Sequence, residues 1–160
     1  MSKIETVQLW RLVKAQRAES AFDGEGAFRF GGRWNSRGHR AVYASSTLSL
    51  ALLEILVHLD PAAHVPELVA LSIEVPLADI QVFKPASAQK NAMTFPWQLR
   101  ETRALGDRWL ETASSPVMRM PSSIVPIENN FLINPSHPRF KKYTISAPLP
   151  FAIDHRFLAS

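Results

Sequence analysis

The chain is predicted to fold as one α+β domain with mixed sheets and few helices. Its 160 residues are enough for one core of useful size, and a second is not expected. Segments that read as strands outnumber those that read as helices. The two kinds do not alternate in the βαβ rhythm of a parallel, doubly wound sheet.

Val7 to Val13 reads as a strand carrying Trp10 and Arg11. Residues 15–27 are polar and small and are expected to form a mobile surface loop. Phe28–Phe30 and Ala41–Ser45 read as short strands on either side of a Gly-Gly-Arg-Trp-Asn turn at 31–35. Ser46 and Thr47 offer hydroxyls for an N-cap, so a helix is expected from there to about Leu59, ahead of Asp60-Pro61. Within Leu68–Val75 the residues Val69, Leu71, Ile73 and Val75 alternate cleanly, the pattern of a half-buried strand. A short strand near Ile80–Phe83 follows, then a helix from Pro96 to about Thr112, interrupted at Gly106. Residues 117–125, 130–133 and 143–153 are the closing strands. All 12 prolines fall between Pro61 and Pro150, which predicts short elements joined by rigid turns in the later part.

A hydrophobic fraction of 46% and a charged fraction of 20% are those of an ordinary soluble globular protein. The longest apolar stretch, Leu48–Leu59, contains Glu54 and His58 and is too short to span a bilayer. The chain opens without a basic n-region and apolar h-region, so no secretion signal is expected and the cytoplasm is the expected location. Absence of cysteine excludes disulfides, thiolate metal sites and a cysteine nucleophile together. The net charge is +4 with a pI near 9.8, and the whole excess sits in residues 1–40. A local positive patch suits a phosphate-bearing small molecule as well as it suits a polymer. Lys141-Lys142 is the only adjacent basic pair, so the dense basic runs of nucleic-acid binders are missing.

The 47–59 helix is the most informative segment. Leu48, Ala51, Leu52, Ile55, Leu56 and Leu59 form a wide apolar stripe, and Leu50, Leu53 and Val57 cover much of the opposite side, which predicts a helix buried between two layers. Thr47, Glu54 and His58 fall on one narrow polar strip. A carboxylate there needs a partner or a ligand, because an isolated buried charge is costly. The partner could be structural: an arginine in an internal salt bridge, or His58 four residues on. A metal site from Glu54 and His58 lacks a third ligand at a recognisable spacing. Arg33 follows two glycines, where backbone can approach a ligand closely, and its planar fork suits a phosphate pair; its alternative is to neutralise Glu54. Tyr43 brings an aromatic ring and a hydroxyl near the helix N-terminus, or is simply a packed strand tyrosine. The glycines at 24, 26, 31 and 32 lack dinucleotide-fold spacing, and no Walker-type loop is present.

Six stretches in order resemble the RES-domain toxins of bacterial toxin–antitoxin pairs. They are Leu-Trp-Arg-Leu at 9–12, Gly-Gly-Arg-Trp-Asn at 31–35, Ala-Val-Tyr-Ala-Ser at 41–45, Ser-Leu-Ala-Leu-Leu-Glu-Ile-Leu-Val-His at 49–58, Met-Pro-Ser-Ser-Ile-Val-Pro at 120–126 and Asn-Phe-Leu-Ile-Asn-Pro-Ser-His-Pro at 130–138. That resemblance implies a single RES domain over residues 1–160 with a fold like that of ADP-ribosyltransferases. It carries the arginine, glutamate and serine of the family's name onto Arg33, Glu54 and Ser122. Arg11 is a second candidate for the arginine and Ser123 for the serine. Tyr43, His58 and Asn134 match positions around the pocket. The implied activity is breakdown of NAD as a substrate, with no cofactor and no metal. The implied partner is a helix-turn-helix (Xre-type) antitoxin, and a toxin homodimer fits the family; no membrane or direct nucleic-acid binding is expected.

In such a reaction Glu54 would stabilise oxocarbenium character on the ribose as nicotinamide leaves, Arg33 would clamp the pyrophosphate, Tyr43 would pack on the nicotinamide or its ribose, and Ser122 would fix a ribose or amide group. His58 would orient Glu54 or a phosphate. Water, inorganic phosphate or a protein side chain could each accept the ADP-ribosyl group. Two rivals stand beside this reading: a ribonuclease toxin with Glu54 and His58 as acid and base, and a basic module gripping nucleic acid through residues 1–40.

Overall fold

The computed structural model describes residues 3–60, 63–83 and 94–158; Pro61, expected to stop the second helix, and Pro85 lie outside them. Among the described residues, β1 (Thr6–Lys14) and β3 (Leu68–Pro76) pair antiparallel along their full lengths, from Thr6 opposite Pro76 to Lys14 opposite Leu68. Around them are β2 (Val42–Ser45), β4 (Ile80–Val82), β5 (Val117–Pro121), β6 (Asn129–Ile133), β7 (Thr144–Ile145) and β8 (Leu149–Phe151). The strand order is β4-β5-β6-β2-β1-β3-β7, with β8 pairing β3 beside β7. Among the described residues only the β4–β5 pair is parallel. The helices are α1 (Glu25–Phe30), α2 (Leu48–Leu56) and α3 (Leu99–Thr112). This is the α+β domain with few helices that the sequence predicts.

The sheet is nearly split in the middle. β1 and β2 share a single registered pair, Trp10 opposite Ser45. Beyond it the strands part, and the Arg11 guanidinium spans the gap by donating to the Tyr43 carbonyl. One half of the sheet is therefore β4-β5-β6-β2, the other β1-β3 with β7 and β8.

Apolar residues cover both faces. Leu9, Val42, Leu71, Ile73, Val75, Val117 and Ile133 form the main core on one face, closed by Ala21 and Phe22. On the other face, α3 packs Trp109 and Leu110 against Met118, Met120 and Leu132, while α2 packs Ala51 against Leu12, Leu68 and Ala70. β3 is thus buried on both sides and is not the half-buried strand its alternation suggests. On its even-numbered face Leu68 and Ala70 pack beneath α2 and Phe151, and only towards its end does that face open, at the exposed Glu74.

Several expectations are corrected by tertiary contacts. Residues 15–27 are anchored, since Ala21 and Phe22 enter the core and Ala15–Arg17 forms a 3₁₀ turn. Phe28–Phe30 lies in α1, not in a strand. Asp23 Oδ1 accepts from the Glu25 N–H at 2.8 Å and Glu25 pairs with Arg29 four residues on, so local capping outweighs the strand preference of the phenylalanines. α2 stops at Leu56, and it lies on a single layer with Val57, just past it, 58% exposed. The strand expected over 117–125 ends at Pro121. The one expected over 143–153 is broken at residues 146–148. There Ser146 keeps contact with β3 by donating its N–H to the Ser72 carbonyl and accepting the Ser72 N–H on its hydroxyl, both at 2.9 Å.

α3 runs without interruption through Gly106. A Cβ at this position would stand 1.6 Å from the Trp34 carbonyl oxygen, so the missing side chain lets helix and loop touch. Gly106→Ala is expected to cost about 1–3 kcal/mol, the usual range for overpacking, read as a lower urea midpoint at constant slope. An unchanged midpoint would refute this close contact.

Candidate active site

Where β1 and β2 part, a cavity of about 320 Å³ opens, lined by Trp10, Arg11, Arg33, Tyr43, Glu54 and His58 among others. Its volume is at the small end of the roughly 300–1,000 Å³ of ligand pockets. α2 supplies Glu54 and His58. Thr47 starts that helix by accepting the Leu50 N–H on its hydroxyl at 3.1 Å. The polar strip predicted for this helix therefore divides: Glu54 and His58 face the cavity and Thr47 serves as the cap.

Glu54 is held by neutral donors. Its Oε1 accepts from Asn130 Nδ2 at 2.6 Å and from Ser122 Oγ at 3.1 Å. Among the described residues it forms neither an ion pair with an arginine nor a hydrogen bond with His58, so neither of the two structural partners considered for it is in place. Each donor is itself oriented. Asn130 Oδ1 accepts from Ser45 Oγ at 2.8 Å, which aims the amide NH₂ at the carboxylate. Ser122 is fully buried, and its oxygen accepts the backbone N–H groups of Ile124 and Val125 at 3.0 and 3.1 Å, which leaves its proton for Glu54. Of the two adjacent serines it is thus Ser122 that reaches Glu54. Because both donors converge on Oε1, and no described residue bonds Oε2, the second oxygen is left for a ligand.

The loop bearing Arg33 is clamped from two sides. Tyr43 on β2 accepts the Trp34 N–H at 2.9 Å and donates to Asn35 Oδ1 at 2.6 Å. A Cβ on Gly32 would come within 2.5 Å of the Tyr43 hydroxyl, so the glycine is required by that approach. Burial pushes the Tyr43 phenol well above its ordinary range, keeping it a neutral donor. Asn35, fully buried, spends its amide on the carbonyls of Ala27, Ser36 and His39. From the other side α3 holds the backbone. Arg103 Nε donates to the Gly32 carbonyl at 2.8 Å, Thr102 Oγ1 to the Arg33 carbonyl at 2.5 Å, and Asp107 Oδ1 accepts the Ser36 N–H at 2.8 Å. With its backbone fixed in this way, the Arg33 side chain is exposed at the cavity.

Arg11 lies deeper. Desolvation lowers its guanidinium to about 10, with Asp23 pulling upward, so it is still a cation at neutral pH. Its Nε is buried without a hydrogen-bond partner among the described residues, and its ring neighbour is Phe22 at 5.6 Å. A second cavity of about 310 Å³ lies on its far side and shares Arg11, Ala27 and Tyr43 with the first. The site therefore holds two cations, Arg11 inside and Arg33 at the mouth, facing one carboxylate.

Asn134 is not brought to this cavity. It is buried where β6 ends, its Oδ1 accepting the Ser136 N–H at 3.0 Å and its Nδ2 reaching the Leu110 carbonyl at 3.4 Å, which is a turn-forming role. Sequence reasoning missed Asn130, although it opens the quoted 130–138 stretch, and it missed Thr102, Arg103 and Asp107, for which helix periodicity carries no signal. Among the described residues there is no cluster of three metal-ligating side chains, and no helix is long and apolar enough to cross a membrane.

Tyr43→Phe would leave the Trp34 N–H and Asn35 Oδ1 without their partner inside the domain. The expected cost is about 1–3 kcal/mol of stability, measured by urea unfolding; a variant as stable as the parent would show that the clamp does not depend on this hydroxyl.

Residues 8–154 match the RES domain family. A protein named Toxin Res from Yersinia enterocolitica is 38% identical over 151 residues, covering 94% of this chain and 99% of that one. The Prs ADP-ribosylating toxin of a Sphingobium species is 37% identical, over 85% of this chain and 87% of that protein. In three dimensions the fold is similar to a chain in the crystal structure of the M. tuberculosis MbcT–MbcA toxin–antitoxin complex. The TM-score there is 0.70 at 15% identity, over 92% of this chain and 85% of that one. The match across nearly the whole chain establishes that this protein belongs to the RES domain family.

Proposed function

We propose that the protein is the toxin of a toxin–antitoxin pair and that it depletes NAD by breaking the bond between nicotinamide and ribose. The observation that carries the reading is the Glu54 carboxylate, which is fixed through one oxygen by Asn130 and Ser122 and open at the other, in a cavity with Arg11 and Arg33. Membership of the RES family and the toxin relatives support it.

Departure of nicotinamide as a neutral leaving group draws positive charge onto the ribose C1′ and ring oxygen. A carboxylate already oriented needs no reorganisation to stabilise that charge, which is the economical form of electrostatic catalysis. Oε2 would meet the ribose, accepting a bond from a hydroxyl as in glycoside cleavage. Ser122 acts here through Glu54, not through a direct bond to the substrate. Tyr43 likewise spends its hydroxyl on the Arg33 loop and offers the ligand only its ring. Arg33 and Arg11 supply the positive field for the diphosphate. His58, exposed at the cavity wall, is placed to contact a phosphate or the incoming acceptor.

The acceptor would be water or inorganic phosphate, giving an NAD glycohydrolase or phosphorylase. The name of the Sphingobium relative favours a second reading, transfer of ADP-ribose to a protein side chain. An Xre-type helix-turn-helix antitoxin as the inhibitor, a toxin homodimer and residence in the cytoplasm complete the proposal.

Purified protein incubated with NAD is expected to release nicotinamide, with inorganic phosphate accelerating it if phosphate is the acceptor. Glu54→Gln, which keeps the two donors' geometry but removes the charge, is expected to slow release by about 10²–10³-fold. A Glu54→Gln protein that consumes NAD at the parent rate would overturn the assignment. Radiolabel from the adenylate moiety appearing on protein, not in free ADP-ribose or its phosphate, would select the second reading.

A further inference from the structure

Four aromatic side chains close a ring beside the cavity. Trp34 meets Phe83 at 5.0 Å, Phe83 meets Trp97 at 5.7 Å, Trp97 meets Phe95 at 5.0 Å and Phe95 meets Trp34 at 6.3 Å, all edge to face. Edge-to-face contacts of this kind fix ring planes as well as positions. Trp34, only 2% exposed, ties the group to the core. The Arg33 Cζ stands 5.4 Å from the centroid of the Phe95 ring, within range of a cation–π contact.

Arg33 forms no ion pair with a carboxylate among the described residues. The kind of partner it has matters for chemistry. A carboxylate would occupy the N–H fork and compete with an anionic ligand. An aromatic face attracts the same cation through the flat side of the guanidinium and consumes none of its in-plane donors. A side chain held this way keeps its fork for two oxygens of a phosphate group, and its rotamer entropy is partly removed before the ligand arrives.

We infer that Phe95 is a positioning residue for anion binding, holding the Arg33 guanidinium over the cavity so that its donors stay free for a diphosphate-bearing ligand. Trp34, Phe83 and Trp97 fix the Phe95 ring in turn. The inference rests on the proposed reading for the diphosphate. For the role of Phe95 itself it rests on the ring geometry alone.

The test uses the full chain and inorganic pyrophosphate as probe, measured by calorimetry, alongside NAD turnover. A cation–π contact at an exposed site is worth about 0.5–1 kcal/mol, so Phe95→Leu is expected to raise the pyrophosphate Kd about two- to fivefold. The KM for NAD should rise equally with kcat unchanged, and Phe95→Trp, which restores an aromatic face, should behave as the parent. In an Arg33→Ala background Phe95→Leu should have no further effect, since its action runs through that arginine. An unchanged Kd for Phe95→Leu, an equal loss in the Arg33→Ala background, or no pyrophosphate binding by the parent would each overturn the inference. If the parent binds pyrophosphate but turns over no NAD, the functional proposal fails while the double-mutant comparison still decides the role of Phe95.

Discussion

A buried hydroxyl, that of Tyr43, bonds two consecutive residues of the Arg33 loop and sits against a glycine that could not carry a side chain. Much of the site is arranged around this contact. It joins β2 to the loop, the loop carries Arg33 to the cavity, and α3 closes from outside with Thr102, Arg103 and Asp107 on the loop backbone. Most of the polar groups involved are buried, where an unmade bond is costly, so the arrangement tolerates little adjustment.

The carboxylate side of the cavity follows the same logic with different parts. Glu54 comes from a helix of one layer, and a helix packed on one face alone would leave the long carboxylate free to move. Asn130 and Ser122, from β6 and the turn after β5, remove that freedom, and each is oriented by a bond of its own. Glu54 is thus positioned by neutral amide and hydroxyl donors, while neither Arg11 nor Arg33 is spent on neutralising it. Had an arginine neutralised Glu54, the carboxylate and that arginine would each have been occupied by the other.

The split between β1 and β2 makes these two sides face one another. A continuous ladder there would fill the cavity with paired backbone. One registered pair at Trp10 and Ser45 keeps the halves together, and Arg11 crosses the opening with a hydrogen bond to Tyr43 instead of a strand ladder. A cation placed in such a seam is a structural strut between the two halves of the sheet.

What the sequence by itself determined was the class of fold, most of the strands and the helix carrying Glu54, while Arg33, Glu54 and Ser122 were put forward together by the family resemblance and not by local pattern. Periodicity, capping hydroxyls and glycines next to an arginine are local signals, and local physics is enough to read them. Tertiary structure decided the rest. It buried most of β3 on both faces, chose Ser122 over Ser123 by pointing it at Glu54, and moved Asn134 out to a turn. It also brought in Asn130, Thr102, Asp107 and Phe95, whose roles exist only because distant segments meet. A hydrogen bond between residues 76 positions apart, such as that from Asn130 to Glu54, leaves no periodic trace in either segment. Its partners are selected by the packing of the sheet halves and not by anything either segment prefers alone.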